Sequence, residues 1–119
     1  SSPYSPAVEV RRVYEEAKDA IAHVIGARGN ELVMTAGATE SINLALTAAG
    51  DGHVITSAIE HHAVLAAAAR HDATYVNVSE HGRVDMMQLT KAIRPDTQLI
   101  SIALANNELG TLQPIRDIV

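Results

Sequence analysis

The sequence of 119 residues is long enough for one domain with its own core, and it carries a formal net charge of -5. That acidic balance offers no basic field to a phosphate backbone or an anionic lipid surface, so neither nucleic acid nor a membrane is an expected partner. The 47% apolar fraction is largely Ala, Val, Ile and Leu, with three Tyr and no Phe, Trp or Cys. The lack of Cys excludes a disulfide framework, a thiolate metal site and a catalytic thiol within this chain.

Pro3 and Pro6 stand where a secretory signal has a basic start and an apolar stretch, and no apolar run approaches the roughly 20 residues of a spanning helix. A cytoplasmic protein is the expectation. Ser5 can cap a helix opened by Pro6, in which Val10, Val13, Ala17, Ile21 and Val24 recur at three- and four-residue steps until Gly26. The apolar stretch Glu31 to Thr35 reads as a first strand, followed by a turn at Ala36-Gly37 and a helix from Ala38 to about Ala49.

The same unit returns as a strand from His53 to Ser57 with a helix from Glu60 to about Arg70, and again as a strand from Thr74 to Val78. A helix from Asp85 to Ile93 then leads to the longest apolar strand, Leu99 to Ala105, and Pro114 opens a last helix that the end at Val119 cuts short, as in a fragment. Strands alternating with helices predict an α/β fold with a mostly parallel sheet covered on both faces.

In such sheets ligands bind beyond the carboxyl ends of the strands. After the first strand, Gly37 precedes the helix-starting amides of Ala38 and Thr39, which suit an anion. An ordinary strand-to-helix turn uses the same residues, so this motif alone does not decide. After the second strand, His61 stands at a helix start, where the positive dipole end favours a neutral ring suited to stacking on an aromatic ligand. A capping or packing role is equally open to it.

Zinc is a poor fit and no metal is expected, because the adjacent His61 and His62 point to different faces and neither has a His four residues on. His62, His23, His53, His71 and His81 read as surface or packing residues. After the last strand, Asn106-Asn107-Glu108-Leu109-Gly110-Thr111 offers paired amides that can aim a donor at a ligand oxygen, although Asn-rich turns are common. Glu108 is a candidate buried acid without an assigned role.

Read together, these stretches are more specific than any one of them. Met34-Thr35-Ala36-Gly37-Ala38-Thr39-Glu40-Ser41, Ala58-Ile59-Glu60-His61-His62-Ala63-Val64-Leu65 and Asn106-Asn107-Glu108-Leu109-Gly110-Thr111 fall in one order. In that order they resemble three motifs of the NifS/IscS-type cysteine desulfurases, in the class V aminotransferase family of fold type I pyridoxal-phosphate (PLP) enzymes. The resemblance implies a three-layer α/β/α large domain, of which residues 1–119 form the partial, PLP-binding front. It also implies that Ala38 and Thr39 hold the PLP phosphate, that His61, as catalytic and cofactor-binding residue, stacks on the pyridine ring, and that Asn107 donates to the phenolic oxygen.

The implied reaction converts L-cysteine to L-alanine and passes sulfur to an enzyme persulfide, for a sulfur acceptor or Fe-S scaffold protein. A homodimer is implied as well. Tyr4, Ile42 and Ala103-Leu104 depart from the family's usual residues, and the helix after His61 looks about a turn short. The family's Schiff-base Lys, its pyridinium-pairing Asp and its sulfur-accepting Cys all lie beyond the position matched by Val119.

Lys18 and Lys91 lie in amphipathic helices, so this chain alone is expected to be inactive. Another class V aminotransferase or lyase, and a non-catalytic module binding a phosphate or a partner, remain alternative readings. In the family's strand order 3-2-4-5-6-7-1, the strands present supply the contiguous set 3-2-4. The strand at 31–35 then lacks a neighbour and is expected to be supported by a complementary C-terminal fragment or a second copy, or else to pair non-natively.

Overall fold

A computed structural model of the chain describes residues 5–119, in two compact units divided between Thr35 and Ala36. Pro3 and the Tyr4 departure lie outside the described residues.

In the first unit, α1 spans Pro6–Val24, as its periodicity predicts. The Ser5 hydroxyl accepts a hydrogen bond from Val8 N at 3.4 Å, and Pro6 sits in the first turn, where a missing N–H leaves no helical bond unmade. Gly26, at φ +74°, closes the helix: its amide reaches His23 O at 3.2 Å and Ala27 N reaches Ala22 O at 2.8 Å. Val10, Val13, Ile21 and Val24 of the apolar stripe remain exposed.

The strand expected at 31–35 does not form. Gly29–Glu31 is a single 3-10 turn, and the segment after it joins no ladder, leaving Val33 71% and Met34 52% exposed. Leu32 has extended dihedrals, φ -97° and ψ 137°, so the local preference is present. An extended segment becomes a strand only through ladder bonds to a neighbouring strand, and this one pairs with no strand among the described residues.

The second unit layers helices on both faces of a parallel sheet. Its elements are α2 Ala38–Thr47, β1 His53–Ser57, α3 His62–Ala68, β2 Ala73–Val76, α4 Met86–Ala92, β3 Thr97–Ser101 and α5 Ile115–Ile118. The strand order β2-β1-β3 is the contiguous set expected from the sequence. All five residues of the central β1 are buried, because helices cover both of its faces. On one face Ile55 packs with Val76, Val84 and Leu89; on the other, Leu46, Ala67 and Ala68 pack with Ala73 and Leu99.

At the amino edge, His53 is fully buried and its ring joins all three strands. Nδ1 lies 2.8 Å from Thr97 Oγ1 and Nε2 lies 2.7 Å from Thr74 Oγ1. His53 is paired with Thr97 but Val54 with Leu99, so Gln98 is the extra residue of a bulge. Nearby, the Arg94 guanidinium binds both Asp72 and Asp96, and its hydrogen bonds hold the Asp96 carboxyl below the usual carboxylate range.

Several elements are shorter than their sequence suggests. β3 stops at Ser101 because the next residues fold back on themselves: Ala105 pairs antiparallel with Leu112, and Gln113 N donates to Leu104 O at 2.8 Å. α3 starts at His62 rather than Glu60, since His61 takes the capping position. Val78 leaves the parallel ladder to pair antiparallel with Val84. Gly82, in the turn between them, has φ +80°, and a Cβ there would meet Thr111 Oγ1 at 2.9 Å, so only glycine suits it.

Gln113, itself buried, locks the 104–113 hairpin onto that turn, accepting from Val84 N at 2.9 Å and donating to Gly82 O at 2.7 Å. Asp85 caps α4, its carboxylate accepting from Gln88 N at 3.0 Å. Asp85→Ala is expected to remove about 1 kcal/mol of stability, seen as a lower urea midpoint with an unchanged slope.

Candidate functional site

Because the three strands are parallel, the loops that follow them emerge at one edge of the sheet. Two of those loops enclose an open cleft of about 530 Å³. Residues 59–62 with Leu65 form one wall, after β1, and residues 106–109 form the other, after β3.

His61 occupies the N-cap of α3, with Nδ1 accepting a hydrogen bond from Ala63 N at 3.2 Å. An acceptor at Nδ1 places the proton of the neutral ring on Nε2, so the cap also selects the tautomer. The capping role and the ligand-facing role are therefore compatible in one side chain. The His62 ring lies 4.0 Å from that of His61, tilted by 35°, and also lines the cleft. Its sequence offered only a surface or packing role, since nothing local shows that α3 begins at the cleft mouth.

Asn107 stands on the opposite wall, exposed, and its carboxamide makes no hydrogen bond among the described residues. The two amides of the Asn pair thus have different fates. Asn106 turns inward, donating from Nδ2 to Ile59 O at 3.0 Å and accepting at Oδ1 from Glu108 N and Leu109 N. Glu108, the candidate buried acid, is exposed. The buried acid of this edge is Glu60, 8% exposed, which binds the Ser57 hydroxyl and Ala103 N. Its apolar neighbours Ala58 and Ile59 were the available signal.

Ala38 and Thr39 lie in the first turn of α2, both exposed, and do not line this cleft. Their amides have no intrahelical acceptor, as in the first turn of any helix. Gly37 ahead of them has φ 170°, extended backbone that any residue adopts, and a Cβ there would meet nothing within 4 Å. No close contact within the chain therefore requires glycine at 37. With no strand formed ahead of it, the start of α2 is held locally, by Glu40 Oε2 accepting from Ala36 N at 2.8 Å.

A flat ring with an oxygen at its edge fits the cleft chemically. The imidazole offers a stacking face and the unengaged Asn107 carboxamide offers a donor. Among the described residues no group of three or more His, Asp or Glu side chains forms a metal site, and no helix is long and apolar enough to cross a membrane.

Known proteins are similar to this chain in sequence and in fold. The cysteine desulfurase IscS of Dictyoglomus turgidum is 43% identical over 121 residues, an alignment covering 92% of this chain and 31% of that protein. The chain spans about a third of the length of the curated relatives it matches. A solved structure of a NifS-like protein superposes with a TM-score of 0.90 at 35% identity, covering 99% of this chain and 36% of that one. A structure described as SspA in complex with cysteine gives 0.84 at 39% identity, covering 99% and 38%. The description Aminotransferase class-V matches residues 1–119, the first turn of α2 and both cleft walls included, and the chain belongs to that family.

Proposed function

We propose that this chain is the cofactor-cradling part of a PLP-dependent cysteine desulfurase, whose remaining length supplies the Schiff-base lysine and the sulfur-accepting cysteine. The observation that carries the reading is the cleft itself, with a capped imidazole on one wall and, among the described residues, an unengaged carboxamide on the other, in a chain similar to named desulfurases. PLP is the cofactor that membership of the family implies, and when bound it supplies the electron sink for bond breaking at the amino acid. L-cysteine is the substrate that the cysteine-complexed neighbour suggests.

The chain's own residues then bind and orient. His61, its Nδ1 engaged by Ala63 N, is fixed at the helix start and presents a ring face to the pyridine ring. Asn107 donates to the phenolic oxygen and favours its anionic form. Ala38 and Thr39, outside the cleft lining, would offer their first-turn amides and the Thr39 hydroxyl to the phosphate. A sulfur acceptor or Fe-S scaffold protein, a second copy of the chain and a cytoplasmic setting complete the proposal.

The test uses the whole protein that contains this chain, stripped of cofactor and titrated with PLP. His61→Ala and Asn107→Ala are each expected to weaken binding about tenfold, the scale of one lost interaction in a desolvated site. Asn107→Ala should also shift the bound cofactor's absorption, because its phenolic oxygen loses a donor. Unchanged affinity in both variants would defeat the site assignment. Formation of alanine from L-cysteine, with the persulfide sulfur released as sulfide when a thiol reductant is added, separates a desulfurase from other class V reactions.

A further inference from the structure

Two side chains unused by the cofactor reading tie the walls of the cleft to each other. Glu60 is nearly buried, with Oε1 accepting from Ala103 N at 2.9 Å and Oε2 accepting from the Ser57 hydroxyl. Asn106 reaches the other way, its Nδ2 donating to Ile59 O at 3.0 Å while Oδ1 accepts from Glu108 N at 2.9 Å and Leu109 N at 2.8 Å. Its backbone is engaged too, N donating to Thr111 O at 3.1 Å and O accepting from Gly110 N at 2.9 Å.

Two of these bonds are not the local kind by which a loop caps itself. The two crossing bonds join residues 43 and 47 positions apart, from the segment after β1 to the segment after β3. Each tethered residue also stands immediately before the residue that faces the ligand space: Glu60 before His61, and Asn106 before Asn107. Neighbouring Cα atoms are a fixed ~3.8 Å apart, so anchoring one side chain leaves the next residue little room to wander. The Glu60 carboxyl accepts from two donors on different segments, so it is held at both of its oxygens.

We infer that Glu60 and Asn106 are positioning residues that set the distance between the His61 imidazole and the Asn107 carboxamide, and so the width of the slot a planar cofactor enters. The inference rests on the reading of His61 and Asn107 as cofactor contacts. Without the Glu60 carboxylate, Ala103 N–H and the Ser57 hydroxyl lose their acceptor and the walls move independently. Without the Asn106 amide, the 106–110 turn loses its internal acceptor as well as its hold on Ile59.

The test compares Glu60→Ala, Glu60→Gln, Asn106→Ala and His61→Ala in the whole protein that contains this chain, with amide hydrogen exchange measured without cofactor and PLP affinity by titration. Glu60→Ala and Asn106→Ala are expected to speed exchange at residues 103–109 at least tenfold while leaving β1 protected, and to weaken PLP binding about tenfold. His61→Ala should weaken binding without speeding that exchange.

Glu60→Gln keeps an acceptor for Ala103 N and turns a donor to Ser57 Oγ, so it should restore both readouts to within about threefold of the parent. If Glu60→Ala unfolds β1 as well, this rescue decides: a Gln variant as loose as the Ala variant overturns the tether. Faster exchange with unchanged PLP affinity, in a background where His61→Ala does weaken binding, overturns the positioning role and leaves the cofactor site standing. Faster exchange with PLP affinity indifferent to His61, Asn107 and Glu60 alike overturns the cofactor reading and leaves only the tether.

Discussion

Incubated with PLP and reduced with borohydride, the 119-residue chain is expected to carry no stoichiometric lysine label, and given L-cysteine it is expected to release no sulfide. The effect is all or none. Its only lysines are Lys18 and Lys91. Lys18 belongs to α1, where its Nζ lies 5.8 Å from the centre of the Tyr14 ring. Lys91 sits exposed in the last turn of α4, where the chain is returning to the start of β3 and so to the edge opposite His61 and Asn107. A reactive amine must be held at the cofactor, and an exposed lysine at the far edge of the sheet is not. Peptide mapping of the reduced sample, with a sulfide assay alongside, checks this. Stoichiometric labelling of Lys91 together with sulfide release would refute it.

Ile55→Ala is expected to destabilise the second unit by about 2–5 kcal/mol, a large share of the 5–15 kcal/mol typical of a folded domain. Ile55 is fully buried in the central strand, and it packs with Val76, Val84 and Leu89. Truncation loses its transfer free energy and leaves a cavity, because neighbours on both flanking strands hold the backbone in place. Urea unfolding followed by circular dichroism reads the change as a drop in midpoint of one molar or more, given slopes of about 1–3 kcal/mol per molar. Val33→Ala, at a position 71% exposed, is the control and should shift stability by no more than about 0.5 kcal/mol. Equal effects at the two positions would mean that the core is not where the burial pattern puts it.

The sequence was most legible where local chemistry and tertiary packing agree. β1 has the bounds its apolar run suggests, and α1 starts and stops at its serine, proline and glycine signals. Legibility failed where partners decide. The apolar stretch at 31–35 has strand composition without a neighbour, and Ala103 to Ala105 has it too but belongs to a hairpin instead. His61 and Asn107 were readable as residues just past strand ends. Their supports were not, because Glu60 and Glu108 are alike in sequence and differ only in what folds over them, and one amide of the Asn pair is free while its twin is consumed. Ala38 and Thr39 were read from a motif whose preceding strand does not form here.

The bulge at Gln98 gives the buried His53 a significance beyond packing. A slip of β3 by one residue would turn each of its side chains to the other face and carry everything beyond Ser101 by about 3.3 Å along the strand axis. It would also withdraw Leu99 from its place against α2 and α3. The His53 ring opposes such a slip by bonding Thr97 on one flank and Thr74 on the other, so all three strands share one index mark. At its far end β3 leads into the wall that carries Asn107. An imidazole that never meets the ligand space thus works like the zero stop of a caliper, and the jaws it calibrates lie at the opposite end of the sheet.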